Sequence, residues 1–195
     1  MRISTTLPQD DLRKVRDAAR HMEAQGYGVL TTSENKHDPF LAHAVAACET
    51  ERVELATAIA ISFSRSPMAV ANASWDLNEA SRGRFVLGLG TQIKAHNENR
   101  FSVAWSAPAP RMREYILALK AIWRCWRHGE KLEFRGEHYR FTLMPPYFVP
   151  ESLGLRIPPV TLAAVGPAML RAAGEVSYGV RLHPFCTRKD VEDVV

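Results

Sequence analysis

Cysteine is scarce in this chain of 195 residues: only Cys48, Cys125 and Cys186 occur. Their odd number, wide spacing and lack of a C-x-x-C pair argue against a disulfide framework and a cysteine zinc site, and point to a reduced, cytoplasmic protein. Long charge runs are also missing. The formal net charge of +4 comes from scattered basic residues, so nucleic acid is not an expected partner. No apolar stretch reaches the ~18 residues of a membrane span. Met1 to Pro8 has no extended apolar segment of the secretory kind, and no signal peptide is read there. A nucleophile elbow, a phosphate loop and the H-E-x-x-H zinc pattern are all absent. His96, His128, His138 and His183 show no metal-ligand spacing and read as surface or satisfied histidines, so no metal is expected. No close repeat or low-complexity tract interrupts the chain.

What is present is a rhythm of short apolar strands and amphipathic helices, in a length that suits one domain, taken as 1–195. Residues 1–7 form a candidate first strand. A helix follows, with Asp10 and Asp11 at its start, an apolar stripe of Leu12, Val15, Ala19 and Met22, and Gly26 as its stop. Tyr27 to Thr32 reads as strand two, and Asp38-Pro39 opens helix two. Val53 to Ile61 reads as strand three, in the near-continuous apolar style of parallel sheets. Ser66-Pro67 opens helix three, and Phe85 to Leu89 is strand four. Residues 91–109 read as a long irregular loop, a length that is uncommon unless functional. The clearest helix covers about 110–127, with Met112, Tyr115, Ile116, Leu119, Ile122, Trp123 and Trp126 on one face and Gly129 after it. A hairpin around Arg135-Gly136 and a proline-rich segment form an insertion. Val160 to Val165 is strand five, Gly166-Pro167 opens helix five, Gly179 to His183 is strand six, and Thr187 to Val195 starts helix six.

In βα architectures, ligands sit at the carboxyl ends of the strands. Four segments fall there. Glu34 and His37 follow strand two, where a carboxylate can accept a proton and an imidazole can shuttle one; Lys36 reads as solvated and Asp38 as a helix cap. Thr57 to Ser62 has small residues at its middle, which reads as a core strand by periodicity alone and, alternatively, as a place where a planar ring approaches the backbone. Gly88-Leu89-Gly90-Thr91 lacks the third glycine and immediate helix of a dinucleotide fingerprint and reads as a generic ligand loop. Ala164-Val165-Gly166-Pro167 ends a strand at a helix N-terminus, which is either a plain turn or an anion site.

Together these segments resemble the luciferase-like monooxygenase superfamily, and within it the oxidoreductases dependent on deazaflavin coenzyme F-420. The resemblance rests on Glu34 to Phe40, Arg65-Ser66-Pro67-Met68, Ser81 to Gly90, Arg111 to Tyr115 and Ala163 to Pro167. It implies a (β/α) barrel binding a flavin or deazaflavin at its carboxyl rim. It also implies a non-prolyl cis peptide near Ala58-Ile59, an acidic residue at Glu34, a ligand loop at Gly90-Thr91-Gln92 and a phosphate-side loop at Ala164-Val165-Gly166. One departure is clear. Some family members carry a catalytic Glu just after the strand-four glycines, where this chain has Gln92, Ile93 and Lys94.

The expected fold is therefore α/β: a partial, truncated luciferase-like TIM barrel of about six βα units with an insertion between strands four and five, since a closed barrel takes eight. The expected function is hydride transfer between coenzyme F-420 (8-hydroxy-5-deazaflavin) and a small organic substrate. Ala58 and Ile59 would support the ring, Glu34 would bond its edge, and Gly90, Thr91, Gln92, Ala164, Val165 and Gly166 would hold the cofactor, with His37 or His96 handling protons. The alternatives are an FMN-dependent monooxygenase and a non-catalytic remnant or interaction subunit. Free edges on strands one and six lead to an expected homo-oligomer or a complementing C-terminal fragment as partner.

Overall fold

The computed structural model describes residues 2–192. In chain order the elements are β1 (Ser4–Thr6), α1 (Leu12–Ala24), β2 (Val29–Thr32), α2 (Leu41–Glu49), β3 (Glu54–Thr57), β4 (Ala60–Ile61), α3 (Pro67–Ala80) and β5 (Phe85–Gly90). They continue with α4 (Lys94–Asn99), α5 (Pro108–His128), β6 (Phe134–Arg135), β7 (Arg140–Phe141), a 3-10 turn (Pro146–Phe148), β8 (Val160–Ala163), α6 (Pro167–Val176), β9 (Gly179–Arg181) and α7 (Arg188–Glu192). Residue 1 of the expected first strand and residues 193–195 of the expected last helix lie outside the described residues.

The main sheet runs β1-β2-β3-β5-β8-β9, every pair parallel, with β4 as a short second partner of β5. The strands and their helices make a half-barrel, the expected partial TIM barrel. β6 and β7 form the expected hairpin within the insertion, with Phe134 opposite Phe141.

Side-chain alternation along the strands separates two faces. Leu30, Leu55, Phe85, Leu87, Leu89, Val160 and Leu162 are buried among the helices. They meet Tyr115, Ile116, Leu119, Ile122 and Trp123 of α5, the face read from the sequence. The alternate positions carry mostly small or polar groups, Thr31, Ala56, Gly88, Thr161, Ala163 and Arg181, with Val29 and Val86 as branched exceptions. A closed barrel usually fills that inner face with bulky branched side chains. Here small and polar groups take most of those places, which leaves room.

Local chemistry explains the element ends. Asp11 caps α1 by accepting from the Arg13 amide, and Ser66 caps α3 by accepting from the Met68 amide, with Pro67 in the first turn. Gly129 ends α5 in the left-handed conformation at φ 68°. The turn into β5 places Arg82 at φ 55° and Gly83 at φ 83°, and Arg84 then reaches back across the sheet. Its guanidinium donates to Thr50 O and Val53 O, each at 2.6 Å, and to Thr50 Oγ1 at 3.0 Å. The Ser-Arg-Gly-Arg-Phe segment thus fastens the end of α2 to the start of β5.

Two sequence expectations change. Residues 53–61 do not form one strand, because the backbone leaves the ladder at Ala58–Ile59, whose peptide bond is cis, and resumes as β4. The cis bond lies where the family resemblance put it. Thr57 bridges the gap: its hydroxyl donates to Gly88 O at 2.7 Å and accepts from Gly88 N at 2.8 Å, replacing ladder bonds with side-chain bonds. The supposedly irregular loop 91–109 contains α4. Buried Asn97 donates to Thr91 O at 2.9 Å and Ile93 O at 3.0 Å, so an interior amide organises a segment without apolar periodicity.

Candidate functional site

The carboxyl end of the sheet opens into a cavity of about 650 Å³ lined by Ala58, Ile59, Gly90, Thr91, Gln92, Ala164 and Val165, among others. These are seven of the positions read from the sequence as cofactor-binding. They come from three places: the break between β3 and β4, the end of β5 and the end of β8. The eighth, Gly166, caps α6 and is exposed beside the cavity rather than lining it. The size falls within the usual range for small-molecule sites, about 300–1,000 Å³.

The Ala58–Ile59 wall is held from behind by the end of β2. Ser33 Oγ donates to Ala58 O at 3.0 Å, and the Glu34 amide donates to Ile59 O at 3.2 Å. The Glu34 carboxylate accepts from the Ile61 amide at 2.7 Å and from Arg65 Nη1 at 2.7 Å. Arg65 also pairs with Asp38 at 2.9 Å. Burial opposes the charge on Arg65, but Glu34 and Asp38 outweigh it and hold the guanidinium above its ordinary value. The Tyr115 hydroxyl donates to Arg65 O at 3.2 Å, and burial pushes that phenol well above its ordinary value.

Glu34 is therefore buried behind the wall, its carboxylate occupied by Ile61 and Arg65, and it does not line the cavity. His37 and His96 are exposed and are not among the lining residues. Asp38 does not cap α2 as expected, because the helix starts at Leu41 with Phe40 as its N-cap; one Asp38 oxygen accepts from the Phe40 amide at 2.8 Å in the turn before it, and the other serves Arg65. The 34–38 loop and α4 are joined by Arg100, which donates to Asn35 O.

Gly90 is required by close approach: a Cβ there would come within 2.8 Å of Ile59 Cδ1. Gln92 adopts φ 60°, and its side-chain oxygen accepts from the Ile93 amide at 2.9 Å. Of the lining residues that the sequence reading did not assign to the site, two are ionisable. His183 is exposed, as read, and it also lies on the cavity rim, with Nδ1 accepting from the Phe185 amide at 3.3 Å. Arg181 carried no motif; the available signal was a charged residue on the inner side of a barrel strand. Chemically, the site offers a wall of small side chains, a rim of loop backbone, one cation and one imidazole. Among the described residues, no group of three or more His, Cys, Asp or Glu side chains is placed to hold a metal ion, and no helix is long and apolar enough to cross a membrane.

A profile described as luciferase-like monooxygenase matches residues 2–195. An uncharacterized protein of Mycobacterium tuberculosis is 45% identical over 194 residues, covering 100% of this chain and 57% of that protein. The 5,10-methylenetetrahydromethanopterin reductase of Methanolobus tindarius is 30% identical, covering 97% of this chain and 55% of the reductase. The chain thus spans little more than half the length of these relatives. Two solved structures share the fold. One is an F420-dependent secondary alcohol dehydrogenase in complex with an F420-acetone adduct (TM-score 0.76, 17% identity, 100% of this chain and 64% of that one). The other is the FMN complex of the oxygenating constituent of 3,6-diketocamphane monooxygenase from Pseudomonas putida (TM-score 0.72, 15% identity, 92% and 57%).

Proposed function

The chain belongs to the luciferase-like monooxygenase family, and from that premise we propose that its cavity binds the deazaflavin coenzyme F-420 and serves hydride transfer with a small organic substrate. The observation that carries this reading is the convergence of Ala58, Ile59, Gly90, Thr91, Gln92, Ala164 and Val165 on one cavity of about 650 Å³. The small side chains of Ala58, Ala163 and Ala164 along it suit a flat ring lying close to the backbone. A bound deazaflavin supplies a carbon centre that gives or accepts a hydride, while the protein orients the ring and excludes water.

In this reading Ala58 and Ile59 support one face of the ring. Thr91 and Gln92 border its edge. Ala164, Val165 and Gly166 hold the coenzyme's polar chain, Gly166 through the start of α6. Glu34 acts through the wall it fastens, not by touching the ring, because its carboxylate already serves Ile61 and Arg65. His183 takes the proton-handling role expected of His37 or His96, since it alone of the three lines the cavity. Among the described residues, β1 pairs only with β2 and β9 only with β8. We propose that these edges pair with a second copy or with a complementing βα segment.

The test is a pair of fluorescence titrations of the 195-residue chain, one with coenzyme F-420 and one with FMN. Saturable binding with preference for coenzyme F-420 is expected. Tighter binding of FMN would replace this reading by an FMN-dependent monooxygenase, the cofactor of the diketocamphane neighbour. Absence of binding by a folded chain would reject both and favour a non-catalytic role.

A further inference from the structure

Arg181 ends β9, and its side chain turns back across the inner face of the sheet. Nε donates to Thr161 Oγ1 at 2.8 Å and lies 2.8 Å from where a Cβ on Gly88 would stand. The Thr57 carbonyl lies closer still to that point, so glycine at 88 makes room for both groups, and the guanidinium borders the cavity shared with Ala58, Ile59 and Gly90. Among the described residues, that guanidinium makes no other hydrogen bond and has no carboxylate at ion-pair distance. The carboxylate whose field it feels, Glu54, is paired with Arg2 at 2.9 Å. Burial lowers the Arg181 value, Glu54 opposes this, and an arginine still stays charged at neutral pH.

The free N–H groups of this half-buried cation are open to solvent in the cavity, and a ligand that covers them must supply an acceptor, because a covered cation without one is costly. Facing a cavity, the acceptor comes from the ligand. A guanidinium fork fits a planar pair of adjacent acceptors. In a flavin or deazaflavin ring such a pair is the N1 and C2 carbonyl edge of the pyrimidine. A hydride brings one proton and two electrons, so hydride uptake makes the ring one charge more negative, and that charge concentrates on this edge.

We propose that Arg181 is the charge partner of the reduced ring, taking the N1–C2 carbonyl edge and favouring the hydride-loaded form over the oxidised one. The proposal rests on the cofactor reading above. It assigns Arg181 a role in setting the direction of hydride transfer, through the difference in affinity between the two ring states.

The test compares dissociation constants of oxidised and chemically reduced coenzyme F-420, measured anaerobically by absorbance and fluorescence titration, for the 195-residue chain and for Arg181→Gln and Arg181→Lys. Arg181→Gln is expected to weaken the reduced form on the order of ten-fold or more, and the oxidised form by a much smaller factor. Arg181→Lys keeps the charge but not the fork, and the reduced-form preference should fall by an intermediate factor. If the glutamine variant does not fold, the ratio in the lysine variant decides. Equal weakening of both forms, or no change in their ratio, overturns the proposal and leaves the cofactor reading standing. Failure of the unsubstituted chain to bind either form overturns the cofactor reading and this proposal with it.

Discussion

Glu34 grips the broken third strand at two points: its carboxylate accepts the Ile61 amide at 2.7 Å, and its own amide donates to the Ile59 carbonyl at 3.2 Å. One residue at the end of β2 thus shapes the wall of a cavity it does not enter. Glu34→Ala should leave the Ile61 amide without its acceptor and Arg65 with Asp38 alone. We expect a loss of about 2–3 kcal/mol, below the full effect of breaking a buried pair because Asp38 remains. Urea unfolding measures it. A loss within the ~0.5 kcal/mol typical of surface substitutions would show that the wall stands without Glu34.

Ala58 points the other way, into the cavity. Ala58→Leu adds volume to open space rather than to a filled core, where overpacking costs about 1–3 kcal/mol. The expected result is a stability change below ~1 kcal/mol together with a large loss of coenzyme F-420 affinity. Thermal unfolding and fluorescence titration on the same preparation separate the two. Parallel losses would mean that Ala58 is packed as core.

His43 gives the fold an acid sensitivity. It is fully buried, with Nε2 3.0 Å from Thr32 Oγ1 and its ring edge-on to Phe85, and burial pushes its value down to about 4. An unfolded histidine titrates near 6.5. Above that pH neither state binds the proton, and His43 adds no pH dependence. Between about 6.5 and about 4 the unfolded chain takes up a proton that the folded chain refuses, so stability falls with falling pH, by roughly 3 kcal/mol at the lower end. Urea unfolding between pH 7 and pH 5, above the range of most carboxylates, should show this slope in the unsubstituted chain and lose it in His43→Gln. An unchanged slope in the variant would place the acid sensitivity elsewhere.

The βα rhythm and the α5 face were legible in the sequence because both rest on periodicity: Met112, Tyr115, Ile116, Leu119, Ile122, Trp123 and Trp126 are all buried. The cavity-lining positions were legible because loops at strand carboxyl ends gather in any parallel sheet, and the family resemblance supplied the rest. Three features were hidden from periodicity for different reasons, the first of them reached only through the family resemblance. The break at Ala58–Ile59 leaves no trace in hydropathy, since Ala58 to Ile61 is as apolar as the strand before it. α4 is polar apart from Ala95 and is organised by one buried amide, Asn97. Arg65 and Arg181 look like any surface arginine until the fold brings Glu34 to one and Gly88 to the other.

The insertion is tied to the same wall. The Glu114 carboxylate accepts the amides of Glu137, His138 and Tyr139 at 3.0, 2.9 and 2.6 Å, gathering the turn of the β6–β7 hairpin onto α5. A side chain on Gly136 would collide with that carboxylate. Tyr139 stacks edge-on against Tyr115 at 5.4 Å and accepts from Arg111 Nε at 3.0 Å, while Tyr115 donates to Arg65 O. A continuous line of contacts therefore runs from hairpin to wall: Glu114, Tyr139, Tyr115, Arg65, Glu34. Contact alone does not establish coupling; a double-mutant cycle does. Glu114→Ala should expose residues 130–142 to limited proteolysis. Combined with Glu34→Ala, it should change unfolding stability by an amount that departs from the sum of the single changes by more than ~0.5 kcal/mol, the usual bound for independent sites. Additivity within that bound would show that the hairpin covers α5 without supporting the cavity wall, and the line of contacts would then be packing without consequence for the site.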